Sequence, residues 1–310
     1  MKHIFQLSFL GICSLLFIGC KSILFNTQKN QAQSALSHVR TLVDERGLVT
    51  QPIVELLKLT QVSCPRDLKS VVSCTQQAWL RRSGLERKDL NESRPELQSK
   101  IIREIKNLGL YSEIRPIAQK YDYVFVLGAS YQTIKSRLDF LVEEINRGIS
   151  FEKLVLMGSL RPLDENSEVK PFKFDFKTEA TTETEIDLMR EIIKFQPYKQ
   201  SFQQIKIIEI ASPMKLDGNK KLVRANTRDT FIDFMKLKLL PGKSLTISNQ
   251  PYIKRQDLIA QDYLKDGWVN ESVGPCVKTD INTNVLLDEL SRLLFEIKAF
   301  ISFRGSFESI

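Results

Sequence analysis

The chain has 310 residues, enough for one large domain or for a domain with an appendage. Its hydrophobic fraction of 42% and charged fraction of 26% are ordinary for a globular protein. Its 45 Lys and Arg against 37 Asp and Glu suit an anionic ligand or membrane surface, but they are spread along the chain without interleaved aromatic runs, so we predict no binding to nucleic acid.

The start of the chain has the pattern of an export signal. Lys2 precedes an apolar run over residues 4–18, which is short for a membrane span and suits a signal core. Gly19 before Cys20 resembles the lipobox of bacterial lipoproteins, in which the chain is cleaved before the cysteine and the cysteine is acylated. We therefore predict a lipoprotein signal peptide over residues 1–19 and lipidation of Cys20. An ordinary signal peptide and an uncleaved anchor are the alternatives.

Lipidation of Cys20 predicts where the protein is found. Two or three acyl chains on one cysteine anchor a protein stably, so we expect attachment to a bacterial membrane on its periplasmic side, with residues 20–30 as a tether. Lys21 stands where an aspartate is associated with retention in the inner membrane of enteric bacteria, which slightly favours the outer membrane.

Residues 31–120 are polar with helical spacing, and we predict a helical region beside the main domain. The predicted helices are Gln31–Val43, Pro52–Leu59, Arg66–Arg81 and Arg94–Leu108, with a short turn near Ile114. In an exported protein, the spacing of Cys64 and Cys74 favours a disulfide over a metal site, with two buried thiols as the alternative. His38 is expected at the surface.

The pattern changes at residue 121. The apolar run Tyr123–Leu127 is typical of a strand buried on both faces, and a second apolar run follows at Leu154–Met157. Between them, apolar residues at helical spacing predict a helix that Gly148 ends. Strand, helix and strand form a βαβ unit, which implies a parallel sheet.

The alternation continues to the end of the chain. The predicted helices are Glu183–Phe195, Asn226–Lys238, Tyr252–Leu264 and Val285–Ser302, and the predicted strands are Ile205–Ile210, Leu245–Ser248 and Trp268–Val273. Five strands alternating with helices predict an α/β domain over residues 121–310, a Rossmann-like doubly wound sheet that is mainly parallel. The polar connection Pro162–Thr182 is expected to be a lid or a mere insertion.

Ligands of such sheets bind at the carboxyl ends of the strands. Three of the four loops predicted there bring an arginine, and guanidinium groups bind phosphate or carboxylate in a bidentate manner. The helix that follows Gly128 offers free N–H groups to an anion. We therefore predict an anion-binding cleft; the alternative is that the arginines cap helices or pair with surface acids. The predicted ligand-binding residues are Gly128, Ala129, Ser130, Gly158, Arg161, Arg224, Asn226, Thr227, Ser248, Tyr252 and Arg255.

Several well-known sites are missing from the sequence. The loop VLGAS does not follow the dinucleotide-binding pattern GxGxxG, and there is no Walker A sequence and no GxSxG. The sheet region has no histidine, so we predict no Ser-His-Asp triad and no metal, and we name no cofactor. Paired carboxylates are available at Glu179, Glu183, Glu185 and Asp187, although acids at a helix N-terminus are the more common explanation.

Six motifs in order resemble one family. They are VFVLGAS, a basic helix with Arg137, LVLMGS, TEIDLMREII, RANTRDT and TISNQPYIKRQ. Together they resemble the SanA/ElyC/YdcF-like envelope proteins over residues 121–273. Tyr252 stands where the family has a histidine, and Asp229 and Thr230 replace an acid-Asn pair. The resemblance implies that the family's site positions fall on Gly128, Gly158, Glu185, Asn226, Thr227, Ser248 and Arg255.

The family is Rossmann-like, often membrane-attached and linked to envelope integrity and to peptidoglycan or lipid-carrier metabolism; one member resembles an S-adenosylmethionine binder. Two functions are therefore expected. The first is an enzyme or binder for a phosphorylated envelope metabolite, with Arg161, Arg224 and Arg255 on the anion and Glu185 as acid or base. The second is a non-catalytic lipoprotein scaffold whose helical region binds a protein partner. A convergent cleft favours the first, and a collapsed cleft with splayed arginines favours the second.

Overall fold

The computed structural model describes residues 39–82, 90, 94–218, 220–265, 267–278 and 281–304. The predicted signal peptide, Cys20, the tether and His38 lie outside these residues, as does most of the predicted helix Gln31–Val43. No helix within the described ranges is both long and apolar enough to cross a membrane.

A parallel sheet forms the centre of the molecule. The strands are, in chain order, β1 (Lys120–Leu127), β2 (Ser150–Ser159), β3 (Lys206–Ser212), the short β4 (Lys215–Leu216) and β5 (Leu222–Val223), β6 (Lys243–Ile247) and β7 (Val269–Val273). Five of them pair in the order β3-β2-β1-β6-β7, and every pairing is parallel. The predicted Rossmann-like α/β fold is confirmed. The strand order reverses beside β1, which lies between β2 and β6.

Helices cover both faces of the sheet, and further helices form a layer beside it. They are α1 (Gln51–Leu59), α2 (Leu68–Ala78), α3 (Gln98–Asn107), α4 (Tyr131–Asn146), α5 (Lys170–Phe176), α6 (Glu185–Ile192), α7 (Tyr198–Phe202), α8 (Thr227–Met235), α9 (Ile253–Tyr263) and α10 (Thr283–Arg304). Local signals set several ends. Gly148 has φ +106° directly after the last turn of α4, as a helix-ending glycine does. Asn226 and Asp229 form a capping box at the start of α8.

Alternate residues of β1 pack against opposite layers. Val124 and Val126 face α4 and α6. Tyr123 and Phe125 face the other layer, which contains Phe231 and Phe234 of α8, Ile259 of α9 and Trp268 before β7. All four β1 residues are at most 3% exposed, which explains why the run is apolar throughout rather than alternating. Helices on both faces make the sheet doubly wound.

The helical region forms a layer together with the end of the chain. Ile53 of α1, Val71 of α2 and Ile101 of α3 share one apolar core with Leu290 and Leu294 of α10. The domain predicted over residues 121–310 includes α10, although this helix packs with the N-terminal helices. Within this layer, Cys64 and Cys74 are joined in a disulfide, with Cα atoms 6.4 Å apart.

Two segments differ from the sequence expectation. The connection Pro162–Thr182 is neither a bare loop nor a free lid, because it contains a π-turn at Glu165–Val169 and then α5. Phe172 of α5 is fully buried against Tyr131, Phe176 and Phe195, a core contribution hidden in a polar stretch. The β4–β5 hairpin was not predicted at all, since two-residue strands carry too little alternation to detect.

Candidate functional site

A cleft of about 830 Å³ opens at the carboxyl end of the sheet, beside the reversal of strand order. It is bordered by the loops after β1, β2 and β5, by α9 and by α10 of the helical layer. Ten of the predicted site residues line it: Gly128, Ala129, Ser130, Arg161, Glu185, Arg224, Asn226, Thr227, Tyr252 and Arg255. The sheet edge thus brings together side chains from segments far apart in the sequence.

Gly158 and Ser248 do not line this cleft. Gly158 lets α6 approach β2, because a Cβ there would lie 3.1 Å from three atoms of Ile186. Ser248 is fully buried, and its hydroxyl bonds to Gln256, which does line the cleft. These two residues support the site from behind, and their prediction as ligand-binding residues is corrected accordingly.

One wall of the cleft is an internal ion network of Arg161, Glu168 and Glu185, which we call the acid wall. Arg161 donates from Nε to Glu185 at 3.1 Å and from Nη1 and Nη2 to Glu168 at 2.8 and 2.7 Å. Its two remaining N–H groups reach the carbonyl oxygens of Pro162 and Ala129. All five donors of Arg161 are therefore satisfied within the chain. These contacts leave Arg161 no N–H group for a ligand anion, so they do not support its predicted role as an anion clamp.

The carboxylate of Glu185, like the guanidinium of Arg161, is fixed by several hydrogen bonds. It accepts hydrogen bonds from the N–H and the hydroxyl of Ser159 at 2.9 and 2.7 Å, besides the one from Arg161. Gly128 makes room for it, because a Cβ at this position would lie 2.8 Å from the carboxylate. A buried acid with three donors is a structural partner of Arg161, so its predicted role as a free acid or base is not supported.

The amino end of α4 is occupied by the chain itself. The carboxylate of Glu168, which is 4% exposed, accepts from the N–H of Asp164 at 3.0 Å, and the N–H of Tyr131 at the start of α4 also stabilises its charge. Burial alone would raise the pKa of Glu168, but Arg161 and these two N–H groups outweigh it and lower the pKa. Glu168 therefore fills the place where the sequence predicted a ligand anion.

A second group of lining residues consists of Arg81, Arg228, Arg255 and Arg292, which we call the arginine wall. Each of them lines the cleft and forms an ion pair with a carboxylate of α10. Asp288 holds Arg81 and Arg292, Glu289 holds Arg255, and Glu296 holds Arg228. Four guanidinium groups share three carboxylates, so this wall keeps an excess of positive charge.

The carboxylates behind the arginine wall fix its geometry. Asp288 and Glu289 are fully buried, and neither lines the cleft. Burial alone would raise the pKa of Asp288, but hydrogen bonds from Arg292 and from the N–H of Arg81 lower it, so this carboxylate is ionised at neutral pH. Burial lowers the pKa of Arg255 and Glu289 raises it, with a net increase. The guanidinium groups of Arg81, Arg255 and Arg292 therefore lie between buried acids and the open cleft, whereas Glu296, the partner of Arg228, lines the cleft itself.

Several cleft residues were missed from the sequence. Across the described residues seven arginines line the cleft, against four carboxylates, and the predictions included only three of the seven. Arg137 was noted only for its helix; it binds the carbonyl oxygens of Leu127 and Gly128 and the side chain of Asn249, and so supports the loop after β1. The one available signal was the spacing of Asp288, Arg292 and Glu296, charged residues four apart on a helix that also carries Glu289.

The described residues contain no group of three or more His, Cys, Asp or Glu side chains that could hold a metal ion. No protein-family model matches the chain, and no curated protein matches it at a significant level. The resemblance to the SanA/ElyC/YdcF-like envelope proteins therefore stays a prediction that depends on the six motifs.

Proposed function

We propose that the cleft binds an anionic small molecule, with a phosphate ester as the best-fitting class, and that the arginine wall makes the contact. The observation that carries this proposal is the convergence of Arg81, Arg228, Arg255 and Arg292 on one open cleft, each fixed by an ion pair with a carboxylate of α10. Guanidinium groups match phosphate oxygens in geometry and in charge.

The buried carboxylates do not cancel the attraction for a ligand. With an effective dielectric constant of about 20, an anion about 4 Å from a guanidinium gains about 4 kcal/mol, whereas a carboxylate about 7 Å away costs about 2 kcal/mol. The attraction of the nearer guanidinium therefore exceeds the repulsion by the carboxylate behind it. The carboxylates also hold the arginines in place before the ligand arrives, which reduces the entropy lost on binding.

Binding alone is proposed, without a reaction. Glu185 is engaged by Ser159 and Arg161, and Tyr252 stands where the resembling family has a histidine. The alternative is a non-catalytic scaffold, which a collapsed cleft with arginines splayed into solvent would favour. The cleft is open instead, and the arginines converge on it.

We also propose that the chain is a bacterial lipoprotein anchored through Cys20 and facing the periplasm. The support is the sequence from Lys2 to Cys20. The test is metabolic labelling with palmitate in a bacterial host. Label is expected in the wild-type chain and not in Cys20→Ala, whereas Cys13→Ala serves as the control and should be labelled normally. Equal labelling of wild type and Cys20→Ala would overturn the anchor.

Calorimetric titration with inorganic phosphate tests the binding function. The decisive variant is Arg255→Gln combined with Glu289→Gln, which removes a cleft arginine without leaving its partner buried and charged. We expect its affinity to fall about tenfold or more, as for the loss of one charge-assisted hydrogen bond. The matched control is Arg190→Gln with Glu209→Gln, an ion pair outside the cleft. Equal affinities in wild type and both variants would refute binding at the arginine wall.

A further inference from the structure

The arginine wall is extended rather than concentrated at one point. Its carboxylate partners begin at Asp288 and end at Glu296, eight residues apart on α10, which corresponds to about 12 Å along the helix axis. Arg81 and Arg292 lie at the Asp288 end, and Arg228 lies at the Glu296 end. The cleft therefore presents guanidinium groups over a longer distance than one phosphate group covers.

The two ends of this wall come from different parts of the fold. Arg228 lies in the first turn of α8, next to Asn226 and Thr227 at the carboxyl edge of the sheet. Arg292 belongs to α10, and Arg81 to the chain just after α2, so both come from the helical layer. A ligand that reached both ends would contact the sheet domain and the helical layer together.

The side chains at the Asp288 end are arranged to present donors. Asp288 accepts from Nε of Arg292 at 3.0 Å and from Nη2 at 3.2 Å. Glu289 takes the same Nε and Nη2 groups of Arg255. In both cases the carboxylate binds one edge of the guanidinium from behind, and the residue also lines the cleft.

We infer that the cleft has two anion subsites, one at Arg228 beside the sheet edge and one at Arg81 and Arg292 in the helical layer, where Arg255 pairs with the neighbouring Glu289. Its ligand then carries two anionic groups, as a diphosphate or oligophosphate ester does. This inference rests on the proposed anion-binding function. A cleft of about 830 Å³ is in the range of sites for whole organic ligands rather than for a single ion.

Two subsites make a clear prediction about ligand length. A ligand that joins two anionic groups binds more tightly than a single group, because the second contact becomes intramolecular once the first has formed. We expect tripolyphosphate to bind the full chain about tenfold or more tightly than inorganic phosphate, with one tripolyphosphate per chain.

The test is calorimetric titration of wild type and Arg292→Gln with both probes. We expect Arg292→Gln to remove most of the advantage of tripolyphosphate while phosphate still binds at the Arg228 end. Arg190→Gln removes the same charge from an arginine outside the cleft, one paired with Asp187 and Glu209, and it should change neither affinity by more than about twofold. Thermal unfolding identifies a variant that fails to fold. In that event Arg292→Lys replaces it, because lysine keeps a cation beside Asp288 but loses the planar guanidinium.

The outcomes separate this inference from the function on which it rests. If neither probe binds wild type, both the proposed function and the two subsites are refuted. If phosphate and tripolyphosphate bind equally tightly, or if Arg292→Gln weakens both by the same factor, the second subsite is refuted and anion binding stands.

Discussion

Gly128 determines how closely the acid wall can pack. A Cβ there would meet the Glu185 carboxylate at 2.8 Å and the carbonyl oxygen of Met157 at 2.9 Å, so even alanine forces one of them to move. We expect Gly128→Ala to lower the free energy of unfolding by about 1–3 kcal/mol, the usual cost of overpacking. Gly218→Ala is the control, because no atom lies within 4 Å of its added Cβ. Urea denaturation measures both, and equal stabilities would contradict the close approach.

Glu168 gives the acid wall a defined dependence on pH. Its pKa lies below 4.5 in the folded chain, so the ion pair with Arg161 stabilises the protein above that pH and is lost as the pH falls through the folded pKa. Glu168→Gln should therefore be less stable than wild type near pH 7, by about 1–3 kcal/mol, and the difference should shrink below pH 4.5. Chemical denaturation at several pH values measures this difference.

The exposed neighbour Glu165 is the control for that experiment. It belongs to the same π-turn as Glu168, and Glu165→Gln should change stability by no more than about 0.5 kcal/mol at any pH. A difference between wild type and Glu168→Gln that stays constant from pH 7 to pH 3 would show that Glu168 acts through its shape and not through its charge.

At the scale of single elements, the disulfide links the segment before α2 to that helix. Cys64 and Cys74 are ten residues apart, so the bond closes a short loop of the unfolded chain. Loop-closure entropy predicts that Cys64→Ser with Cys74→Ser lowers stability by about 3 kcal/mol under oxidising conditions. Thermal unfolding measures the loss. Cys276→Ser, at an exposed free cysteine, is expected to have no such effect, and equal loss in both proteins would argue against a structural disulfide.

Most elements were predictable because their signals are local. The apolar run of β1, the capping residues of α8 and Gly148 after α4 each place an element by propensity and sequence pattern alone. The position of α10 was predicted, but its role was not. Its packing partners α2 and α9 are distant in the sequence, and no local pattern states which carboxylate of α10 will meet which arginine.

At the scale of the whole molecule, Lys254 joins the sheet domain to the helical layer. It lies on α9 and is 4% exposed, and its Nζ donates to Thr41 Oγ1 at 2.6 Å and to the carbonyl oxygen of Leu108 at 2.8 Å. Burial lowers its pKa to about 8 from 10.5. The folded chain therefore releases this proton at a lower pH than the unfolded chain does, and stability should rise with pH between these values.

Lys254→Met should abolish that rise. We expect the difference in unfolding free energy between wild type and variant to change in favour of wild type as the pH increases from about 8 to 10.5. Tyrosines that titrate in this range are common to both proteins, so their contributions cancel. Denaturation curves at these pH values provide the measurement, and parallel curves would show that Lys254 does not lose its proton on folding.

The location of the site was predictable from the parallel sheet, whereas the roles of the individual arginines within it were not. Ten predicted residues do line one cleft, because the carboxyl ends of parallel strands meet at one edge. The sequence predicts the same role for Arg161 and Arg255. In the structure, Arg161 donates all its N–H groups to Glu168, Glu185 and two carbonyl oxygens. Arg255 instead lines the cleft and pairs with the buried Glu289. Which arginine has donors to spare depends on tertiary contacts.

The most direct test of anion binding at the arginine wall is to locate a bound anion. A crystal of the protein soaked in tungstate, a phosphate-like anion with strong anomalous scattering, would show where negative charge is held. We expect anomalous density in the cleft that places the tungstate oxygens about 3 Å from the guanidinium nitrogens of Arg228, Arg255 or Arg292. Density at the amino end of α4, in place of the Glu168 carboxylate, or no density in the cleft would contradict it.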